Sequence, residues 1–309
     1  MRMRIVRTAV GSMASWGFIL ELQKRGIEII GTDSDPFPFC HPLLKKLYTV
    51  PTGDHRNFIS EMEKICKKEN PDAILSGPET ELLSLSKNKK IFNEIGIEII
   101  CPEYKSVQIC ADKIRTYDFL RKINISVPSQ FSGQEIEYPC LIKPRFGRGG
   151  QDVHIINNKC QMEHYIKTVQ EPIIQEYLSG DEYSIDILAD NEGNALSIVP
   201  RIRTKTESGI SVKSTTVFDK ELIDIAEVIV KELQLFGPSC LQCIKNDEGI
   251  KFLDLNTRFG GGSILSVMAD NTIIPNLISI IKGNEPIKSD SFIEGLTMSR
   301  YYSEIFYIK

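Results

Sequence analysis

Residues 241–262 read LQCIKNDEGIKFLDLNTRFGGG, and the pairing of the two halves of that stretch decides what the chain can build. Leu241 to Lys245 and Ile250 to Leu255 read as strands around the turn Asn246-Asp247-Glu248-Gly249. A three-residue loop, Asp247-Glu248-Gly249, is the natural reading. It is a type I turn followed by Gly249 in the left-handed region, which glycine enters without a Cβ clash. Asn246 is then expected to pair with Ile250 and Lys245 with Lys251, which sets Gln242 opposite Asp254. Asn256 lies two residues on and shares the face. Gln242, Asp254 and Asn256 form a set of hard oxygen donors with little total charge. Such a set suits Mg²⁺ (or Mn²⁺), which shares its shell with phosphate oxygens and water. A turn of Glu248-Gly249 alone would move the register by one and turn Gln242 away.

Alternating polar residues on a strand also describe a plain solvated hairpin. Arg258 favours a site, because it extends the same face with a fork that grips phosphate or carboxylate. Glycines 260 to 262 let backbone come close to a ligand or start a helix over it.

Upstream, residues 143–156 read KPRFGRGGQDVHII. Lys143 closes an apolar strand, and Arg145, Gly147, Arg148, Gly149 and Gly150 follow. A loop of bare amides and guanidiniums suits polyphosphate; the alternative is a basic hairpin tip. It is not a P-loop, since GxxxxGK[ST] is absent and the lysine precedes the glycines. Residues 173–186, IIQEYLSGDEYSID, read alone as a strand, a turn and a strand. In a nucleotide site, Glu182 could accept from ribose hydroxyls and the strand edge could pair with adenine. Residues 200–213, PRIRTKTESGISVK, place Arg201, Arg203, Lys205 and Lys213 at alternating positions. They suit either a solvated face or an anionic substrate.

Composition excludes several classes. The 309 residues are 41% apolar and 25% charged, with a net charge of −4, ordinary for a soluble globular chain and without electrostatic reason to expect nucleic acid. No stretch approaches the roughly 18 uninterrupted apolar residues of a membrane span. The basic start MRMRIVRTAV resembles a signal peptide, but Arg7 breaks its apolar segment, so a cytoplasmic location is expected. Eight cysteines scattered through apolar segments suggest buried thiols in a reducing compartment. Cys240 and Cys243 resemble a CxxC metal or redox pair, yet residues three apart on a strand face opposite sides and no second pair accompanies them.

Over about the first hundred residues, strands alternate with helices. The helices fall at 12–26, 58–69 and 80–96, which predicts a parallel, doubly wound sheet. One helix is expected over 106–123. Antiparallel strands then predominate, with helices at 159–169 and 220–233. The fold class is α/β followed by α+β.

Taken in order, these stretches resemble the ATP-grasp superfamily, closest to the branch of the carbamoyl-phosphate synthase large subunit and single-chain carboxylate–amine ligases. SGPETELLSLSKNKKIFNEIGIEIICPEYKSVQICADKIRTYDFL looks like that family's join between a Rossmann-like domain and the grasp. KPRFGRGG, QEYLSGDEYSID and FLDLNTRFGGG resemble its lysine–glycine loop, hinge with ribose acid, and metal motif. The resemblance implies a Rossmann-like pre-ATP-grasp domain over 1–105, a lid subdomain over 106–174 and a C-terminal subdomain with the metal site over 175–309.

By the same resemblance, Lys113 and Lys143 bind the α- and β-phosphates of ATP, and the loop from Phe146 to Gln151 closes over the triphosphate. Gln175, Glu176 and Leu178 frame adenine, and Glu182 holds ribose. Gln242, Asp254 and Asn256 hold Mg²⁺, Arg258 faces the γ-phosphate, and Arg203 takes the substrate carboxylate. The metal acid is Asp254 where glutamate is commoner. Ser211 stands where the carbamoyl-phosphate synthase large subunit has a histidine, which weakens the bicarbonate reading. The implied activity is amide formation from small-molecule carboxylate and amine substrates through an acyl phosphate, with a homodimer as the expected assembly. Two alternatives remain. One is a split carbamoyl-phosphate synthase-like component that phosphorylates bicarbonate or carbamate. The other is a nicotinamide-dependent oxidoreductase with Asp33 as ribose acid, although the GxGxxG glycines are missing.

Overall fold

The alternation of strands and helices at the start of the chain builds a five-stranded parallel sheet. The computed structural model describes residues 2–132, 136–147, 149–301 and 303–306. Strands β1 (Arg4–Thr8), β2 (Glu28–Asp33), β3 (Lys46–Thr49), β4 (Ala73–Leu75) and β5 (Glu98–Ile99) lie in the order β3-β2-β1-β4-β5. The order reverses between β1 and β4, which opens a crevice at the carboxyl ends of those strands. The helix Phe58–Glu69 forms because Phe58, Met62, Ile65 and Cys66 recur at helical spacing and bury one stripe, and it stops at left-handed Asn70.

The single helix expected over 106–123 is two helices, Tyr104–Ala111 and Lys113–Lys122. Asp112 divides them. It takes an extended backbone, and its side chain accepts from the amides of Ile114 and Arg115, so it caps the second helix.

A three-stranded antiparallel sheet follows, from β6 (Cys140–Pro144), β7 (His154–Ile156) and β8 (Pro172–Glu176), in the order β7-β6-β8. The third sheet has six strands. They are β9 (Asp181–Ala189), β10 (Ala195–Glu207), β11 (Ile210–Thr216), β12 (Gly237–Asn246), β13 (Gly249–Asn256) and β14 (Thr297–Ser299). Their order is β13-β12-β9-β10-β11-β14. The helix Lys220–Leu233, capped by Asp219, lays Leu222, Ala226, Ile229, Val230 and Leu233 on one face of that sheet. A separate core joins the first sheet to the rest of the chain, with Phe18, Ile19 and Leu22 packed among Phe259, Val267 and Ile273.

The hairpin pairing differs from expectation in its turn. Asn246 pairs with Gly249, Lys245 with Ile250 and Ile244 with Lys251, so the loop is the two residues Asp247 and Glu248. The Asn246 side chain helps set it by accepting from the Glu248 amide. A β-bulge at Leu253 then adds one residue to β13, and Gln242 stands opposite Asp254 after all. The predicted pairing forms, but a bulge produces it rather than the loop.

Cys240 and Cys243 do face opposite sides, with Cys243 in the core beneath the sheet. Seven cysteines are buried, and Cys160, expected to be buried, is exposed. Among the described residues no helix is long and apolar enough to cross a membrane.

Candidate active site

Residues paired across an antiparallel sheet point to the same side. One row crosses four strands as Asp254, Gln242, Ser184 and Arg201, and the next holds Asn256, Cys240 and Asp186. Facing this surface across a cleft of about 520 Å³ is the three-stranded sheet with its glycine loop. The cleft lies within the size range of nucleotide and cofactor sites. The structure brings to it Lys113, Lys143, Gly147, Gly149 and Gly150 from one side, Gln175, Glu176, Leu178 and Glu182 from the hinge, and Arg203, Gln242 and Asp254 from the other side. Asn256 and Arg258 line an inner recess of about 40 Å³. Gly149, Arg203, Gln242 and Asp254 belong to both cavities.

Lys143, the penultimate residue of β6, has 7% of its surface exposed and donates to the Tyr117 hydroxyl at 2.8 Å. Burial pushes its ammonium down to about 8; nearby Asp254 opposes that shift and Lys113 adds to it. Lys113 Nζ donates to the Gly147 carbonyl at 3.1 Å. Gly149 takes a positive φ of 66°, and its Cβ position lies 3.0 Å from the Ser208 carbonyl oxygen, so both conformation and space favour glycine.

Arg145, predicted to bind the nucleotide, does not line the cleft. Its Nε and Nη2 donate to the two oxygens of Asp112 at 2.8 and 2.6 Å. Burial alone would raise the Asp112 carboxyl, but Arg145 and the helix amides hold it below the usual range. Arg148 lies outside the described residues.

Several cleft groups are engaged with one another. Glu182 and Arg203, read as ribose acid and carboxylate receptor, form an ion pair. Arg203 also donates to the Gly209 carbonyl at 2.8 Å. The Glu176 carboxylate accepts from Lys251 at 2.7 and 2.8 Å and from the Ser129 amide. Arg258 donates through Nε and Nη2 to one oxygen of Glu79, at 3.0 and 2.7 Å, and through Nη2 to the Asn256 amide oxygen at 3.0 Å. Glu79 opens the helix after β4, so the parallel sheet's crevice meets the end of the metal motif.

Glycines 260 to 262 serve a packing need. A Cβ on Gly262 would lie 2.7 Å from Arg201 Nη1, and one on Gly260 2.6 Å from Cys240 Sγ. Arg201 is 1% exposed and pairs with Asp186 at 2.8 Å.

The donor chemistry of Gln242, Asp254 and Asn256 fits a hard divalent cation, with two amide oxygens, one carboxylate and the cleft's lysines nearby for phosphate. Among the described residues no three His, Cys, Asp or Glu side chains cluster as a metal site.

Sequence reading missed Tyr117, whose hydroxyl donates to Gln175 Oε1 at 2.9 Å and to the Leu253 carbonyl at 3.3 Å. It also missed Glu79, Ser184 and Asp186. Asp33, the acid of the nicotinamide reading, is spent locally, accepting from the amides of Gly11 at 2.7 Å and Asp35 at 2.9 Å.

Residues 110–262 match the ATP-grasp domain family, and residues 16–100 match the PylC-like N-terminal domain. Over 277 residues the chain is 27% identical to the formate-dependent phosphoribosylglycinamide formyltransferase of Sulfurisphaera tokodaii, spanning 78% of this chain and 66% of that protein. Over 196 residues it is 24% identical to carbamoyl-phosphate synthase of Methanobrevibacter smithii, spanning 60% of this chain and 52% of that protein. The chain therefore spans between about half and two thirds of the length of these relatives. The biotin carboxylase of Campylobacter jejuni superposes with a TM-score of 0.75 at 15% identity, over 94% of this chain and 73% of that one, which is a likeness of fold.

Proposed function

Since the chain belongs to the ATP-grasp superfamily, we propose that it is an ATP- and Mg²⁺-dependent ligase that joins a small-molecule carboxylate to an amine through an acyl phosphate, releasing ADP and phosphate. The observation that carries this reading is the convergence of Lys113, Lys143, Gln242 and Asp254 on one cleft between two antiparallel sheets. On this reading 1–105, 106–174 and 175–309 act as the first domain, the lid and the metal-bearing base.

Lys113 and Lys143 bind the nucleotide's phosphates, and Glu182 exchanges its contact with Arg203 for ribose hydroxyls. Gln242, Asp254 and Asn256 would hold Mg²⁺, which supplies charge neutralisation at the phosphate oxygens. Arg203, released from Glu182, is placed to receive the substrate carboxylate. Arg258 stabilises charge at the γ-phosphorus as the carboxylate oxygen attacks. The glycine loop, resting on the turn at Ser208 and Gly209, excludes water from the acyl phosphate until the amine arrives. Positioning and charge suffice for such a transfer, so no covalent enzyme nucleophile is required.

The test is substrate-dependent ADP release across a panel of acids and amines. Lys143→Ala and Asp254→Ala are each expected to slow it by roughly 100-fold. Unchanged rates in both variants would refute the assignment.

A further inference from the structure

Three consecutive glycines have no side chains to restrain their peptides, so donors from outside must hold their carbonyls. Gly260 O accepts from the Ser263 amide at 3.2 Å and from the Ser263 hydroxyl at 2.8 Å, and Gly262 O accepts from the Leu265 amide at 3.0 Å. Those donors come from the next few residues. The Gly261 carbonyl between them takes its donor from far along the chain, where Arg300 Nη2 reaches it at 2.6 Å.

The same guanidinium holds two more carbonyls. Its Nε donates to Ser211 O at 3.1 Å and its Nη1 to Met13 O at 3.0 Å. One fork thus joins the start of β11, the glycine turn and the loop that follows β1, which lie 89, 39 and 287 residues from it. Strand pairing presents the fork. Lys213 pairs with Ser299 and Thr215 with Thr297, and the Arg300 amide continues that ladder to the Val212 carbonyl at 2.9 Å. Burial and the nearby Arg201 push the guanidinium's pKa down. Charge-assisted bonds to three carbonyl dipoles offset that cost.

Gly261 lines the recess, whereas Arg300 lines neither the recess nor the cleft. Arg300 therefore acts through backbone and does not touch a ligand. The first domain is tied to the metal motif by Glu79 on Arg258, and to the glycine turn by Met13 on Arg300.

We propose that Arg300 is a positioning residue, whose fork sets the Gly261 peptide in the wall of the recess and clamps the first-domain loop at Met13 against that wall. The clamp keeps the reacting end of the site in shape and leaves nucleotide binding to the lysines of the cleft. Its consequence for turnover rests on the ligase reading; the clamp itself does not.

The experiment compares the full chain with Arg300→Met and Arg300→Lys. Hydrogen exchange is expected to speed up about fivefold or more in two separate places, at the amides of Ser12 and Ser15 and at those of Ser263 and Leu265, with the helix 58–69 unchanged. Calorimetry with Mg-ADP is expected to give the unmutated Kd, which also shows that a variant is folded. For the acid–amine pair that releases most ADP from the unmutated chain, kcat is expected to fall roughly 10- to 100-fold while the KM of ATP stays put. Arg300→Lys keeps the charge but places one ammonium where three nitrogens of a fork were, so it is expected to lose most of the same turnover. It also decides the matter if Arg300→Met does not fold. Faster exchange confined to β11 and β14 overturns the proposal, because Arg300 then only docks its own strand. Unmutated turnover in Arg300→Lys overturns it too, as does a weakened Kd for Mg-ADP that accounts for the lost rate. If no pair releases ADP from an unmutated chain that binds Mg-ADP, the ligase reading fails, and the exchange result alone decides whether the clamp exists.

Discussion

A lysine buried to 7% exposure beside a second lysine is an unusual holder of charge, and Lys143 keeps its proton only up to a pH of about 8. On the proposed reading the charged form binds phosphate, so nucleotide binding would raise this pKa and be weakened when the proton leaves. Affinity for Mg-ATP should therefore be constant below neutrality and fall as pH rises through 8. From pH ~7 to ~9.5 the loss should be roughly 10-fold, because little of the charged form remains. Isothermal titration across that range checks it, and Lys143→Met should flatten the profile. The Tyr117 hydroxyl, which accepts from Lys143, is itself raised by burial and by Asp254 and stays protonated throughout. Arg145 teaches the opposite lesson about single residues. Its place beside the glycines suggested phosphate, but its guanidinium goes to Asp112, 33 residues earlier, whose helix-capping role only the folded chain displays.

At the scale of elements, the hairpin combines two departures whose effects cancel. The loop is one residue shorter than the turn chemistry suggested, and the bulge at Leu253 restores the lost step. Without the bulge, Asp254 would face the core side of the sheet. The Tyr117 hydroxyl points at the Gln175 amide oxygen and the bulged residue's carbonyl as donor and accepts from Lys143, so one hydroxyl joins the helix Lys113–Lys122, β6, β8 and β13. Tyr117→Phe leaves these partners buried without it. It should cost about 1–3 kcal/mol of stability, measured by urea unfolding, and should also weaken ATP binding because Lys143 loses its anchor. The helices at 58–69 and 220–233 were legible to the residue, because each pairs an apolar stripe with a clear start or a left-handed stop. The break at Asp112 was not legible, since the apolar pattern runs on through it.

Across the whole molecule, the three sheets meet around the site. The first reaches it through Glu79, which grips Arg258 across 179 residues of sequence. The second reaches it through the glycine loop, where Gly149 rests on the turn of the β10–β11 hairpin. A Cβ on Gly209 would lie 2.3 Å from Gly149 Cα, so any side chain there holds the loop off the base. Gly209→Val should leave the glycine loop as open to limited proteolysis in the presence of a non-hydrolysable ATP analogue as in its absence. The unmutated chain should gain protection. The substitution should also cost about 1–2 kcal/mol, because Gly209 sits at a positive φ of 71°.

The amino-acid order by itself carried the fold class, the resemblance to the family and a set of candidate residues whose chemistry suits a nucleotide and a cation. The fold class follows from local periodicity, and the family and the candidate nucleotide residues from the resemblance of motifs taken in order. Tertiary structure alone decided which of those side chains are spent on neighbours, as with Arg145, Glu176 and the Glu182–Arg203 pair. It also decided that Ser184 lines the recess and that a bulge aims Asp254 at the cleft. The physical reason is range: strand alternation and helical stripes are encoded within a few residues, whereas the pairing of charges and the shape of a recess depend on groups that only folding brings together.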